Sequence, residues 1–277
     1  MARERILVAL QGGEADDKPI ETALKLAPAY GADVRGLFVE PDPASYMLWT
    51  GPGAAGASVV TTAIDAVKQE AEKAAADAEA RFNAAAGDAG RDGHSFKRIT
   101  DSPSDSAQQA RLVRLLVACP QAAAGRGPLA DFTAACLIDE ACPIFVPRNG
   151  AVAPSRIAIA WDGSKEAAKA AFAADPLISK ECQVTILSSD RNLDYQDRAA
   201  AAPNRLANWL HARGVSADVR HLDGSGAVGD QLLEAAADSD LLVAGAYGHS
   251  RIAQFIFGGV TRRLLAAVDG PSLLMAH

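Results

Sequence analysis

Short aliphatic runs alternate with helix-period patterns along the chain. Arg5-Ile-Leu-Val-Ala-Leu10, closed by Gly12 and Gly13, reads as a buried strand and a turn. Pro19 suits a first helical turn, and Ile20, Ala23, Leu24 and Ala27 follow at helical spacing until Gly31 stops them. The next strand is expected over Asp33–Glu40, with Val34, Leu37 and Val39 apolar. The same order returns later. Arg156-Ile-Ala-Ile-Ala-Trp161 is closed by Asp162-Gly163-Ser164, a helical pattern runs through Ala174, and Gln183-Val-Thr-Ile-Leu187 reads as a strand. Leu115-Leu-Val-Ala118 answers Leu241-Leu-Val-Ala244, and the run from Cys142-Pro143 answers the run from Gly270-Pro271. A duplication is the simplest account.

In the second copy, helices are expected at about 197–212, 228–237 and 259–268, and strands at 217–222, 240–245 and 272–276. Strands that are apolar on both faces, each followed by a helix, argue for a parallel sheet covered on both sides. The fold class is therefore α/β: two tandem doubly wound domains of five parallel strands, three layers each, at 1–149 and 155–277. Gly150–Ser155, with Pro154, reads as the linker. In the first copy a long helix is expected over Thr62–Ala86, with Ile64, Val67, Ala71, Ala74, Ala78 and Phe82 on one face. The preceding Pro41–Ala57 carries Tyr46, Met47, Leu48 and Trp49. It either folds back over its own domain or offers an apolar partner surface.

The formal charge of −7 argues against a sequence-independent attraction to nucleic acid or acidic lipid. No apolar run reaches the ~18 residues of a membrane span, and the first strand is too short for a signal-peptide core, so a cytoplasmic location is expected. Cys119, Cys136, Cys142 and Cys182 show neither CxxC spacing nor scaffold density and read as reduced core thiols. His94, His211, His221 and His277 lack ligand spacing and read as surface residues, with no metal site.

The chemistry-bearing stretch is Gly245-Ala-Tyr-Gly248-His-Ser-Arg-Ile-Ala-Gln-Phe-Ile-Phe-Gly258-Gly259-Val260-Thr261. It follows the fourth strand of the second copy, where open parallel sheets bind ligands. Gly245 and Gly248 would allow close approach of a ribose, and Gly258 and Gly259 open a helix whose free N–H groups attract phosphate. The same glycines could serve tight turns alone. Thr261 supplies a hydroxyl or caps the helix, His249 and Arg251 reach a phosphate or stay solvated, and Asp162, beside Ser164, lines the site or caps the next helix.

The spacing Gly, two residues, Gly, nine residues, Gly, together with Asp162-Gly163-Ser164, resembles the universal stress protein family, and two linked copies resemble its tandem members. The resemblance covers essentially the whole second half and, more loosely, the first. It implies the fold of adenine nucleotide alpha hydrolases and flavodoxins, and ATP or ADP as ligand, with or without Mg2+. Asp162 would lie beside the nucleoside and Ser189 against adenine through its backbone. Gly245 and Gly248 would flank the ribose, and Gly258, Gly259 and Val260 would offer N–H groups to the phosphates. One departure is Gly259, where ATP-binding members usually place Ser or Thr; losing that hydroxyl should cost about 1 kcal/mol. The resemblance also implies that the last strands, Cys142–Pro147 and Ser272–His277, join the halves, with a homodimer of chains as a further expectation.

The first copy departs further. Gln11 stands for Asp162, Cys119 for Gly245 and Ala122 for Gly248, and Pro120 takes space that a ribose would need. It is expected to be a partner without nucleotide. Gln11-Gly-Gly-Glu-Ala-Asp16 only faintly resembles the SGGxDS loop of ATP pyrophosphatases, lacking its hydroxyl and its spacing. No nucleophile elbow, Walker loop or Cys–His pair appears, so any ATPase activity should be slow. The leading expectation is a stress-response protein that binds an adenine nucleotide as a regulatory ligand. The alternative is a nucleotide-independent scaffold or chaperone-like tandem protein.

Overall fold

The computed structural model describes residues 4–41, 57–90, 92–189, 202–246 and 259–277. In chain order, the first half contains β1 (Glu4–Leu10), α1 (Asp17–Tyr30), β2 (Ala32–Pro41), α2 (Ala57–Asp88), β3 (His94–Asp101), α3 (Pro103–Ala107), β4 (Leu115–Val117), α4 (Pro120–Ala123), α5 (Ala130–Ile138) and β5 (Ile144–Val146). The second contains β6 (Arg156–Ala160), α6 (Lys165–Ala174), β7 (Gln183–Ser188), α7 (Pro203–His211), β8 (Ser216–His221), α8 (Val228–Ala235), β9 (Leu241–Gly245), α9 (Gly259–Ala266) and β10 (Ser272–Ala276).

All ten strands form one sheet, in the order β3-β2-β1-β4-β5-β10-β9-β6-β7-β8. Each half is a doubly wound unit of five parallel strands, and the two copies share their registers. Ile6 pairs with Val34 and Leu115 as Ile157 pairs with Val184 and Leu241. Counting on from these pairs sets Gln11 opposite Asp162, and Cys119 opposite Gly245, as equivalent positions.

β5 and β10 meet antiparallel, with Val146, Phe145 and Ile144 against Leu273, Leu274 and Met275. Strand alternation sends Ile6, Val8, Leu10, Ile157 and Ile159 to one face of the sheet and Leu7, Ala9 and Ala158 to the other, so each face carries one core running through both halves. α1, α2, α6 and α7 cover the first face; the remaining helices cover the second. The Tyr30 hydroxyl also crosses between halves, donating to Ala173 O at 2.7 Å. The four cysteines are buried in these cores as free thiols, and burial pushes the Cys119 and Cys136 thiols up and the Cys142 thiol to about 12.

The structure differs from the sequence pattern in two places. β3 was not marked by apolar alternation: it is an edge strand whose residues are exposed or half-buried. α2 runs to 32 residues, and Val67 is 47% exposed rather than on its inner stripe, which begins at the half-buried Ala71. Residues 150–155 form no helix or strand, and at their end the Asp240 carboxylate accepts from the N–H groups of Ser155 and the following Arg156 at 2.9 Å. The apolar segment around Tyr46–Trp49 lies outside the described residues.

Arg148, just past β5, is 2% exposed. Its backbone N–H donates to Ser272 Oγ and its Nη2 to Leu264 O, while Nε and Nη1 have no hydrogen-bond partner among the described residues. Burial pulls its pKa down to about 10. Replacing an incompletely paired buried ion with an apolar side chain of similar length removes a desolvation cost. Arg148→Met is therefore expected to raise unfolding free energy by about 1 kcal/mol, and Arg148→Ala, which leaves a void, to lower it by about 2 kcal/mol. Urea denaturation checks both, and a clear loss of stability in Arg148→Met contradicts the argument.

Candidate functional site

The chain leaves β6 toward β7 on one side and later returns to β9 on the other, so the switch point lies between the carboxyl ends of β6 and β9. At the end of β6, Asp162-Gly163-Ser164 forms a tight turn. Asp162 Oδ1 accepts from Ser164 N at 2.9 Å, Gly163 takes φ +75°, and Ser164 Oγ caps α6 by accepting from Ala167 N at 3.1 Å. The cap is thus Ser164, and Asp162 braces the turn that presents it.

Ser189 lies half-buried directly after β7, and Gly245 ends β9, so both join Asp162 at the same edge of the sheet. Gly259, Val260 and Thr261 form the first turn of α9. Among the described residues nothing lies within 4 Å of a Cβ built on Gly259, whereas the Thr261 side chain is buried at 4% exposure. Gly248, His249, Arg251 and Gly258 lie outside the described residues.

Gly245 has a packing role of its own. A Cβ there would stand 2.6 Å from Ala167 N and 3.0 Å from Glu166 Cβ, so the first turn of α6 occupies the space a side chain would need. Glu166, missed in the sequence because acidic residues are ordinary in a helix's first turn, is buried to 5% exposure and pairs with Lys165 Nζ at 3.5 Å. His277 was also misread as a plain surface residue. Its Nδ1 lies 3.0 Å from Ala246 O, and its carbonyl accepts from Lys169 Nζ at 2.9 Å, so it bridges the end of β9 to α6. No sequence spacing links Ala246 to His277; only the parallel pairing of β9 and β10 does.

The equivalent place in the first half is closed. Asp16, fully buried, accepts from Gln11 N at 3.1 Å and Gly12 N at 2.7 Å, and Asp77 of α2 accepts from Gly13 N at 2.7 Å. The amides that could face an anion there are already engaged by two carboxylates of the chain. Burial raises the Asp16 pKa against the opposing pull of those N–H groups, while the Gly13 N–H and Arg81 hold the Asp77 carboxyl down. A Cβ on Gly12 would meet Ala74 O at 2.8 Å, so α2 rests directly on this turn. Among the described residues no group of His, Cys, Asp and Glu is arranged to hold a metal ion, and no helix is long and apolar enough to cross a membrane.

The sheet order defines a doubly wound α/β protein with a topological switch point between β6 and β9 in its second half. Residues 154–275 match the universal stress protein family. Over nearly its whole length the chain is similar to a universal stress protein from Archaeoglobus fulgidus DSM 4304, at 15% identity and TM-score 0.64, covering 98% of this chain and 97% of the other. It is also similar to a protein of unknown function from Pseudomonas aeruginosa PAO1, at 14% identity and TM-score 0.54, covering 99% and 92%. At these identities the likeness is one of fold. Among proteins of curated function none matches the sequence.

The two described glycines of the loop should respond differently to a methyl group. Gly245→Ala is expected to cost about 2 kcal/mol of stability without any nucleotide present, and Gly259→Ala to change it by less than about 0.5 kcal/mol. Thermal denaturation of the two variants checks this, and a neutral Gly245→Ala contradicts the packing role.

Proposed function

We propose that the second half, taken as a domain over 155–277, binds an adenine nucleotide, ATP or ADP, as a regulatory ligand at the carboxyl ends of β6, β7 and β9. The first half, over 1–149, is its structural partner without nucleotide. The observation that carries this reading is the contrast between equivalent turns. In the first half Asp16 and Asp77 engage the turn's amides and α2 covers it. In the second, Asp162 and Ser164 satisfy only local amides, at an edge shared with Ser189, Gly245 and the first turn of α9.

Asp162 is suited to accept a hydrogen bond from a nucleoside through the carboxylate oxygen not engaged by Ser164. The amides of Gly259 and Val260, at the positive end of α9, suit the phosphates, with Gly248, His249, Arg251 and Gly258 completing the loop. Mg2+ would enter, if at all, with the phosphates. The missing hydroxyl at Gly259 removes one contact to the terminal phosphate, so ADP should bind nearly as well as ATP. The antiparallel pairing of β5 with β10 supports reading the two domains as a pair within one chain, and nucleotide binding would alter how that pair meets a partner protein.

One observation favours the alternative of a nucleotide-independent scaffold: Gly245 is explained by the packing of α6, and the buried Glu166 carboxylate adds negative charge beside it. Calorimetric titration separates the readings. One saturable site per chain is expected for ADP and for ATP with Mg2+, weakened about tenfold, or about 1.4 kcal/mol, by Asp162→Ala. No saturable heat up to millimolar nucleotide would favour the scaffold.

A further inference from the structure

Beside the Asp162 turn, on the outer side of α6, lies a cavity of about 420 Å³, within the size range of small-molecule sites. It is bounded by Trp161 at the end of β6, Ala168 and Phe172 of α6, and Leu206 and Trp209 of α7, with Lys165 and Arg205 also on its lining. The equivalent turn of the first half is covered: α2, 32 residues long, packs Ala74 onto Gly12 and ties itself to α1 through Arg81 and Asp17 at 2.9 Å.

The lining points to a particular chemistry. Three aromatic side chains line the space, and Trp209 is braced by two neighbours: Phe172 meets it edge-on at 5.5 Å, and the Arg213 guanidinium, paired with Asp175 at 2.6 Å, lies 4.8 Å over its ring. Phe172 nevertheless remains 63% exposed, an unusual state for a ring in an aromatic cluster. Lys165 and Arg205 both sit in the first turns of their helices, where the helix dipole disfavours cations. Arg205 thus weakens its helix slightly while bringing a cation to the cavity's margin. Lys165 is paired with the buried Glu166 carboxylate, so the preference for an anion rests on Arg205.

We propose that this cavity, which borders the proposed nucleotide crevice at Gly163 and Ser164, is a binding site for a small planar aromatic anion, such as an aryl carboxylate, that does not rest on the crevice being occupied. The ring would lie among Trp161, Phe172 and Trp209, and its acidic group would face Arg205.

The test is calorimetric titration of the full chain with 2-naphthoate, its neutral isostere 2-naphthamide, and octanoate. One site per chain is expected for 2-naphthoate, with a dissociation constant on the order of 10–100 µM. Binding of 2-naphthamide should be about tenfold weaker and octanoate should not saturate. Arg205→Gln should weaken 2-naphthoate about fivefold. Ala168→Phe, which fills the cavity, should abolish binding, and Phe172→Ala, at an exposed position that leaves the fold intact, should weaken it at least tenfold. Absence of saturation in the full chain overturns the proposal. So does unchanged affinity in both Ala168→Phe and Phe172→Ala, or equal affinity for the neutral or aliphatic probe.

Discussion

Where a parallel strand ends and its helix has not yet begun, backbone amides are left without sheet partners and must find acceptors. The two halves of this protein meet that requirement differently after β1 and β6, and much of their divergence follows. After β1, Asp16 and Asp77 accept from Gln11, Gly12 and Gly13, an arrangement that draws α2 onto the turn and requires Gly12 to lack a side chain. After β6, Asp162 and Ser164 solve the same problem within five residues, using only the amides of Ser164 and Ala167. Among the described residues the second solution draws on no helix other than α6, which Ser164 caps. The proposed crevice rests on that difference.

The seam between β5 and β10 gives the first half a structural part in the second. Three residues from each strand pair, yet both faces of the joined sheet carry cores shared across the seam, including Phe145 with Leu274 on one side and Val146 with Leu273 on the other. Without β5, β10 would present an unpaired edge of aliphatic residues, a form that sheets avoid. Arg148 adds a directional link, because its guanidinium donates to Leu264 O in the last turn of α9, the helix that opens beside the candidate crevice.

Much of this architecture was legible in the sequence because central parallel strands are continuous apolar runs and the two copies repeat them in order. The alignment of Gln11 with Asp162 and of Cys119 with Gly245, made from sequence, agrees with the strand registers. β3 escaped because an edge strand rich in Lys, Arg and His carries no apolar period. The roles of Gly245 and Gly12 could not be read either, since each is fixed by a helix backbone brought close only by the fold. Glu166, His277 and the rings of Trp161, Phe172 and Trp209 escaped for the same reason: their proximity is created by helix packing and strand pairing, not by spacing along the chain.

The central claim is that the two copies differ in kind, one turn satisfied by the chain's own carboxylates and one left for a ligand. Amide hydrogen exchange with and without saturating ADP tests it most directly. The account predicts added protection at 162–164, 189 and 259–261 and none at 11–13 or 119–124. Equal protection in both halves, or protection confined to the first, would contradict it.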